Sequence, residues 1–200
     1  MSRPAGGASF ILATTNPGKL AEYRELFADA PITFEALDAA TAPEETGRSF
    51  VENALIKARH ASASRGGPTI ADDSGLCVAA LGGAPGVRSA RYAGPDASDR
   101  DNLERLLAEL AGVEPGRRDA FFHCVIVALS KPEDPAPVIA SGRWNGRIAM
   151  QPSGAGGFGY DPVFYDPKLG MTAAELSPET KNAVSHRARA RVELRRLLGF

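Results

Sequence analysis

The sequence predicts an α/β protein, and three observations predict it. Short apolar runs alternate with helical patterns through the first 71 residues. A run at 120–129, Ala-Phe-Phe-His-Cys-Val-Ile-Val-Ala-Leu, is nearly all apolar, β-branched or aromatic, the pattern of a central strand buried on both faces. Helix starts are marked by capping residues at Ser49, Ser98 and Ser177.

The first strand is expected at 9–14 and the turn Thr15-Asn-Pro-Gly-Lys19 after it. Leu20, Tyr23, Leu26 and Phe27 then share one face of a helix. A second strand is expected at 31–37. Ser49-Phe-Val-Glu52 is a capping box opening a helix to about Arg65, which gives Glu52 a local role as a cap. Thr69-Ile-Ala71 reads as a short strand that ends in Asp72-Asp73-Ser74 and breaks at Gly75. Leu103, Leu106, Leu107 and Leu110 form the core stripe of a helix begun at Ser98 and ended by Gly112. After the central strand, 138–144 completes a hairpin and 146–150 is a separate short strand. Thr172–Glu175 is another capping pattern. Ser177 and Pro178 start a C-terminal helix, and Ser185 could restart it.

Composition narrows the function classes. A chain of 200 residues, 44% hydrophobic and 24% charged, suits one globular domain with room for two lobes. A net charge of −1 gives no basic field for nucleic acid, so no nucleic-acid partner is expected. The start lacks the apolar run of a signal peptide, and no stretch approaches the ~18 apolar residues of a membrane helix. Cys77 and Cys124 have neither metal-ligand spacing nor a disulfide framework, so a cytoplasmic location is expected.

Several stretches carry chemistry. Thr14, Thr15, Asn16 and Lys19 sit on a strand–turn–helix junction, where free N–H groups and a lysine suit a phosphate; many β–α turns have the same composition. Asn53, Lys57 and His60 share a helical stripe, which taken alone is better explained as a solvated face. Asp72 and Asp73 suit a hard metal ion. Gly82–Gly86 with Arg88 and Arg91 suits an anion, or the wall of a site. His123, inside the central strand, reads as a core residue and Trp144 as packing. Ser153–Tyr165 holds four glycines in six residues around Phe158, which could lie flat on a base, while Asp161 could accept from a ring N–H. Lys181, His186 and Arg187 cluster near a helix N-terminal region and offer donors to a carbonyl-rich ligand.

Six motifs in order, Thr14–Lys19, Ser49–Lys57, Asp72–Gly75, Gly82–Gly86 with Ser89–Tyr92, Gly157–Pro162 and Ser185–Arg187, resemble the inosine triphosphatase family, in its bacterial dITP/XTP pyrophosphatase branch. The resemblance spans about residues 9–198 and leaves 1–8 as a flexible N-terminal extension of a single domain, 1–200. It implies an elongated α/β fold with a mixed central sheet flanked by helices, two lobes and a nucleotide cleft between them. It implies a homodimer that hydrolyses ITP, dITP or XTP to the monophosphate and pyrophosphate with Mg²⁺. Carried over position by position, Thr14, Thr15, Asn16, Pro17, Gly18 and Lys19 hold the triphosphate, with Lys57 offsetting its charge. Asp73 binds the metal and accepts the water's proton. Glu44 is the second acidic ligand, with Glu45 the alternative. Ser74 contacts the nucleotide. Phe158 stacks on the base within Phe158, Gly159, Tyr160 and Asp161, and Lys181, His186 and Arg187 read the purine. Asp72 and Asp73, neighbours on a strand, face opposite ways, so Asp72 is expected to support the turn or the metal's outer shell.

Overall fold

The computed structural model describes residues 8–14, 17–29, 32–36 and 43–199. Among the described residues the strands are β1 (Ala8–Leu12), β2 (Ile32–Ala36), β3 (Thr69–Val78), β4 (Asp119–Leu129), β5 (Val138–Ile148), β6 (Phe164–Asp166) and β7 (Met171–Thr172). They join one sheet in the order β2-β1-β3-β4-β5-β6-β7. β1 pairs in parallel with β2 and β3, whereas β6 pairs antiparallel with β5 and β7, so the sheet is mixed. The helices are α1 (Pro17–Leu26), α2 (Phe50–Arg65), α3 (Asp99–Glu109), α4 (Pro178–Val184) and α5 (His186–Leu198). The chain divides into two compact units, Met1–Asp73 with Cys124–Gly142 and Ala188–Phe200, and Ser74–His123 with Arg143–Arg187. The expected N-terminal extension falls mostly outside the described residues.

In the first unit the strand period of two sorts the core into two layers. Phe10, Leu12, Ile70, Ile126 and Ala128 point to one face, where Tyr23 of α1, Phe27 and Ala190 and Leu194 of α5 cover them. Their neighbours Ala13, Ala71, Val125, Val127 and Leu129 point to the other face and meet α2. The covering residues of α2 are Ala54, Ala58 and Ala61, all fully buried. Small side chains let this helix lie close to the sheet, which brings its polar positions, Asn53 and Lys57, near the strands.

The second unit has a single core. Leu103, Leu106 and Leu110 of the α3 region pack with Leu76, Val78, Phe122, Trp144, Ile148 and Phe164. Phe122 and Phe164 lie 4.6 Å apart and Trp144 and Phe164 4.9 Å apart between ring centres. Trp144 is a packing residue as expected, and its indole N–H donates to Asp166 Oδ2 at 2.7 Å. Arg118, 2% exposed, donates to the carbonyls of Leu110, Val113 and Ala149, at 2.6, 3.0 and 3.4 Å. It thereby sets a cation beside the C-terminus of α3, on the Leu110 carbonyl that also accepts the Val113 N–H at 2.9 Å.

Four expectations change. β3 does not stop at Asp72; it runs ten residues to Val78. Gly75 takes no positive φ and the ladder continues through it. β5 likewise absorbs the two strands expected at 138–144 and 146–150. Gly146 is there for close approach, since a Cβ would meet the Tyr165 carbonyl oxygen at 2.5 Å. β4 is buried on both faces only from Cys124 onward; Phe121 and His123 are half-buried. Their face also carries Arg143, whose guanidinium lies 3.5 Å over the Phe121 ring. Thr172–Glu175 opens no helix: the Glu175 carboxylate accepts the Thr172 N–H at 2.7 Å as in a capping box, but the Thr172 hydroxyl turns away to donate to the Ser153 carbonyl at 2.8 Å, and the segment stays a turn. The C-terminal helix does restart. Ser185 is extended (φ −66, ψ 159) between α4 and α5.

Ala58→Leu should overpack the α2 layer and lower stability by about 1–3 kcal/mol, read as a lower urea midpoint at unchanged slope. Cys77 and Cys124 are both unbridged and buried, and burial pushes the Cys77 thiol up. The native protein should therefore resist a thiol reagent at pH 8 and react at both cysteines once unfolded.

Candidate functional site

The first unit gathers its charges around β3. Asp72 and Asp73 are adjacent, 2% and 7% exposed, and follow the same alternation as the core. Asp72 shares the Ile70 face and receives Lys19 Nζ of α1 at 2.7 Å on Oδ2. Asp73 shares the Ala71 face and receives Lys57 Nζ of α2 at 2.9 Å on Oδ1 and Asn53 Nδ2 at 3.3 Å on Oδ2. Lys57 Nζ also donates to Glu45 Oε1 at 3.0 Å. Asn53, fully buried, accepts the Gly47 N–H at 2.8 Å. A Cβ on Gly47 would lie 2.5 Å from that amide oxygen, so only glycine lets the chain pass there.

Electrostatics makes Asp73 a stronger base than an ordinary aspartate. Burial pushes its carboxyl up; Lys57 and Asn53 pull it down, and Glu45 adds to the rise. Burial works against the Lys57 ammonium, but Asp73, Asp72 and Glu45 outweigh it and its pKa rises. Glu44, by contrast, is exposed. Among the described residues no three His, Cys, Asp or Glu side chains form a metal-ligand group. The carboxylates of Asp73 and Glu45, both bonded to the one Lys57 ammonium, are hard oxygen donors drawn to one cation. Two carboxylates suit Mg²⁺, which retains waters and substrate oxygens in its shell.

The rest of the expected phosphate loop is partly visible. Thr14 is half-buried and its N–H reaches the Leu12 carbonyl at 2.8 Å. Thr15 and Asn16 lie outside the described residues, and Pro17 and Gly18 open α1.

The second unit gathers the residues expected at a base. Phe158 is 48% exposed. Lys181 Nζ and Arg187 Cζ stand 5.1 and 5.0 Å from its ring centre. Arg187 also donates to Ser74 Oγ at 3.3 Å. His186, 5% exposed, stacks on Phe122 with ring centres 4.8 Å apart. Asp161 is 4% exposed, and its Oδ2 accepts from the Phe158 N–H at 2.8 Å and Lys181 Nζ at 2.5 Å. Tyr160 is also 4% exposed and donates its hydroxyl to the Ser89 carbonyl at 2.9 Å. Asp161 and Tyr160 thus build the loop beneath Phe158. Gly159 completes it by donating its N–H to Asp99 Oδ2 at 2.7 Å.

Asn53, which meets Asp73, shows in the sequence only through its i, i+4 spacing to Lys57. Of the adjacent acids Glu44 and Glu45, Glu45 is the one that meets Lys57, and Asp99 shows in the sequence only as a helix-start residue. Glu52 is a cap as expected: its Oε2 accepts the Arg48 N–H at 2.8 Å, and its own N–H bonds Ser49 Oγ.

The chain is similar to known proteins over most of its length. A curated dITP/XTP pyrophosphatase of Yersinia pseudotuberculosis is 57% identical over 182 residues, covering 90% of this chain and 92% of that protein. One from Halorhodospira halophila is also 57% identical, with the same coverage. A solved HAM1 protein from Coxiella burnetii superposes with a TM-score of 0.91 at 49% identity, covering 96% of this chain and 98% of its own. A nucleoside-triphosphatase/dITP/XTP pyrophosphatase from Mycobacterium abscessus gives a TM-score of 0.76 at 43% identity, over 93% of this chain and 98% of its own. With residues 10–197 matching the family pattern, the chain belongs to the Ham1 family.

Proposed function

We propose that this protein hydrolyses deaminated purine nucleoside triphosphates (ITP, dITP and XTP) to the nucleoside monophosphate and pyrophosphate, and so removes them from the nucleotide pool. The observation that carries this reading is Asp73: a buried carboxylate of raised basicity, held by Lys57 and Asn53, on a strand whose next residue back holds Lys19. The high identity to proteins named dITP/XTP pyrophosphatase supports the substrate class.

The chain's residues divide the work. Asp73 accepts the proton of the attacking water while its neighbours keep it oriented. Asp72 holds Lys19, whose ammonium faces phosphate oxygens together with the start of α1. Lys57 offsets further negative charge. Phe158 stacks on the base. Donors of Lys181, His186 and Arg187 favour a carbonyl at purine position 6 over the amino group of adenine. Mg²⁺, held by Asp73 and a glutamate, would polarise the water and neutralise phosphate charge. The shared bond to Lys57 supports Glu45 as that glutamate ahead of Glu44. A homodimer in the cytoplasm completes the reading. No helix among the described residues is long and apolar enough to cross a membrane.

A pyrophosphate-release assay with ITP, XTP, GTP and ATP tests the function. Turnover of ITP and XTP well above ATP, abolished by EDTA and restored by Mg²⁺, is expected; equal turnover of ATP and ITP refutes the specificity. A non-catalytic nucleotide sensor would bind ITP without turnover.

Substitution separates the two aspartates. Asp73→Asn should cost about 10²- to 10⁴-fold in kcat, as for loss of a general base. Asp72→Asn should leave measurable turnover and cost about 10-fold in kcat/KM, through a weakened charge-assisted bond to Lys19.

A further inference from the structure

Phe158 extends from a segment with little local reason to be ordered. Gly154, Gly157 and Gly159 hold φ of +82, +74 and +60, conformations that an unrestrained glycine chain leaves readily. Asp161 fixes the first N–H of the aromatic stretch from within the loop, and Tyr160 reaches Ser89. The Gly159 N–H is fixed from elsewhere, by Asp99, 60 residues away in sequence.

Asp99 is the first residue of α3, but it is not that helix's cap. Ser98 and Asp101 already form a complete capping box. The helix is itself anchored by the buried Leu103 and Leu106. An acceptor on its first turn is therefore a fixed point against which the Gly159 N–H, and with it the neighbouring aromatic residue, is set.

We propose that Asp99 is a positioning residue for base recognition: by accepting the Gly159 N–H it holds Phe158 where its ring meets the base. The proposal rests on the reading of Phe158 as the stacking residue. Asp99 touches neither base nor phosphate in this role; it acts on affinity through the loop.

Steady-state kinetics of the full chain with ITP test it. Asp99→Ala should raise KM about 3- to 10-fold, the size of one hydrogen bond, with kcat changed less than about twofold. Asp99→Ser, too short to reach Gly159, should do the same. Asp99→Asn keeps an acceptor oxygen and should restore KM to within about twofold of the parent. Phe158→Ala should raise KM about 10-fold or more, and adding Asp99→Ala to it should change KM no further. A parental KM in Asp99→Ala and Asp99→Ser, alongside a raised KM in Phe158→Ala, overturns the role of Asp99 and leaves stacking intact. An equal rise in Asp99→Asn, or a full additional rise in the double variant, also overturns it. A parental KM in Phe158→Ala removes the stacking reading and this proposal with it.

Discussion

Two neighbouring carboxylates on one buried strand set the terms for the first unit. Consecutive residues of a strand point to opposite faces, so Asp72 and Asp73 cannot share a partner as two residues on a helix face could. Each is nearly excluded from water, and an unpaired buried charge is costly enough that removing one member of such a pair typically costs about 3–5 kcal/mol. Each face must therefore bring its own cation. Lys19 comes from α1, the layer that also packs Tyr23 over Phe10 and Leu12. Lys57 comes from α2, the layer whose alanines sit against Ala71 and Val127. Core and site are thus the same alternation read twice, once in apolar residues and once in charges.

That alternation was legible in the sequence. That Asp72 and Asp73 face opposite ways, each towards its own lysine, follows from strand periodicity, and α2 with its Ser49 cap follows from the capping box. The length of β3 was not legible. Asp-Asp-Ser-Gly has low strand propensity and reads as a terminus, yet it lies inside a strand held between β1, which pairs at Thr69 and Ile70, and β4 in the sheet order. The same override fused β5 across Asn145 and Gly146, where the glycine answers to Tyr165 and Phe164. Strands of two or three residues, β6 and β7, are too short to leave a pattern. At the site, Glu44 and Glu45 are indistinguishable as letters; only the reach of Lys57 separates them. Asp99 carries no signal at all, since its partner is a backbone N–H distant in sequence.

The two units fix their polar groups in different ways. The first uses side-chain charges braced by one another, so its chemistry is written in residue types. The second uses a backbone loop whose glycines permit the path and whose acceptors, Asp161 and Asp99, fasten it. Gly157 shows how tight this is, because a Cβ there would lie 2.2 Å from Asp161 Oδ2. Lys181 is shared between Asp161 and the face of Phe158, so one cation both closes the loop and adds positive charge beside the aromatic ring.

Gly47 has a consequence for how this protein tolerates mutation. It bears no functional group and belongs to neither helix nor strand, so its sequence neighbourhood gives no warning. Yet its hydrogen atom occupies the space against which the Asn53 amide rests, and Asn53 orients the carboxylate assigned to the water. Any larger residue would press on that amide and also on the Glu52 Cβ at 2.7 Å and the Asn53 backbone nitrogen at 2.9 Å, so the first turn of α2 would have to move with it. A change at a residue with no side chain would thus reach the Asp73 carboxylate through the helix that carries Asn53.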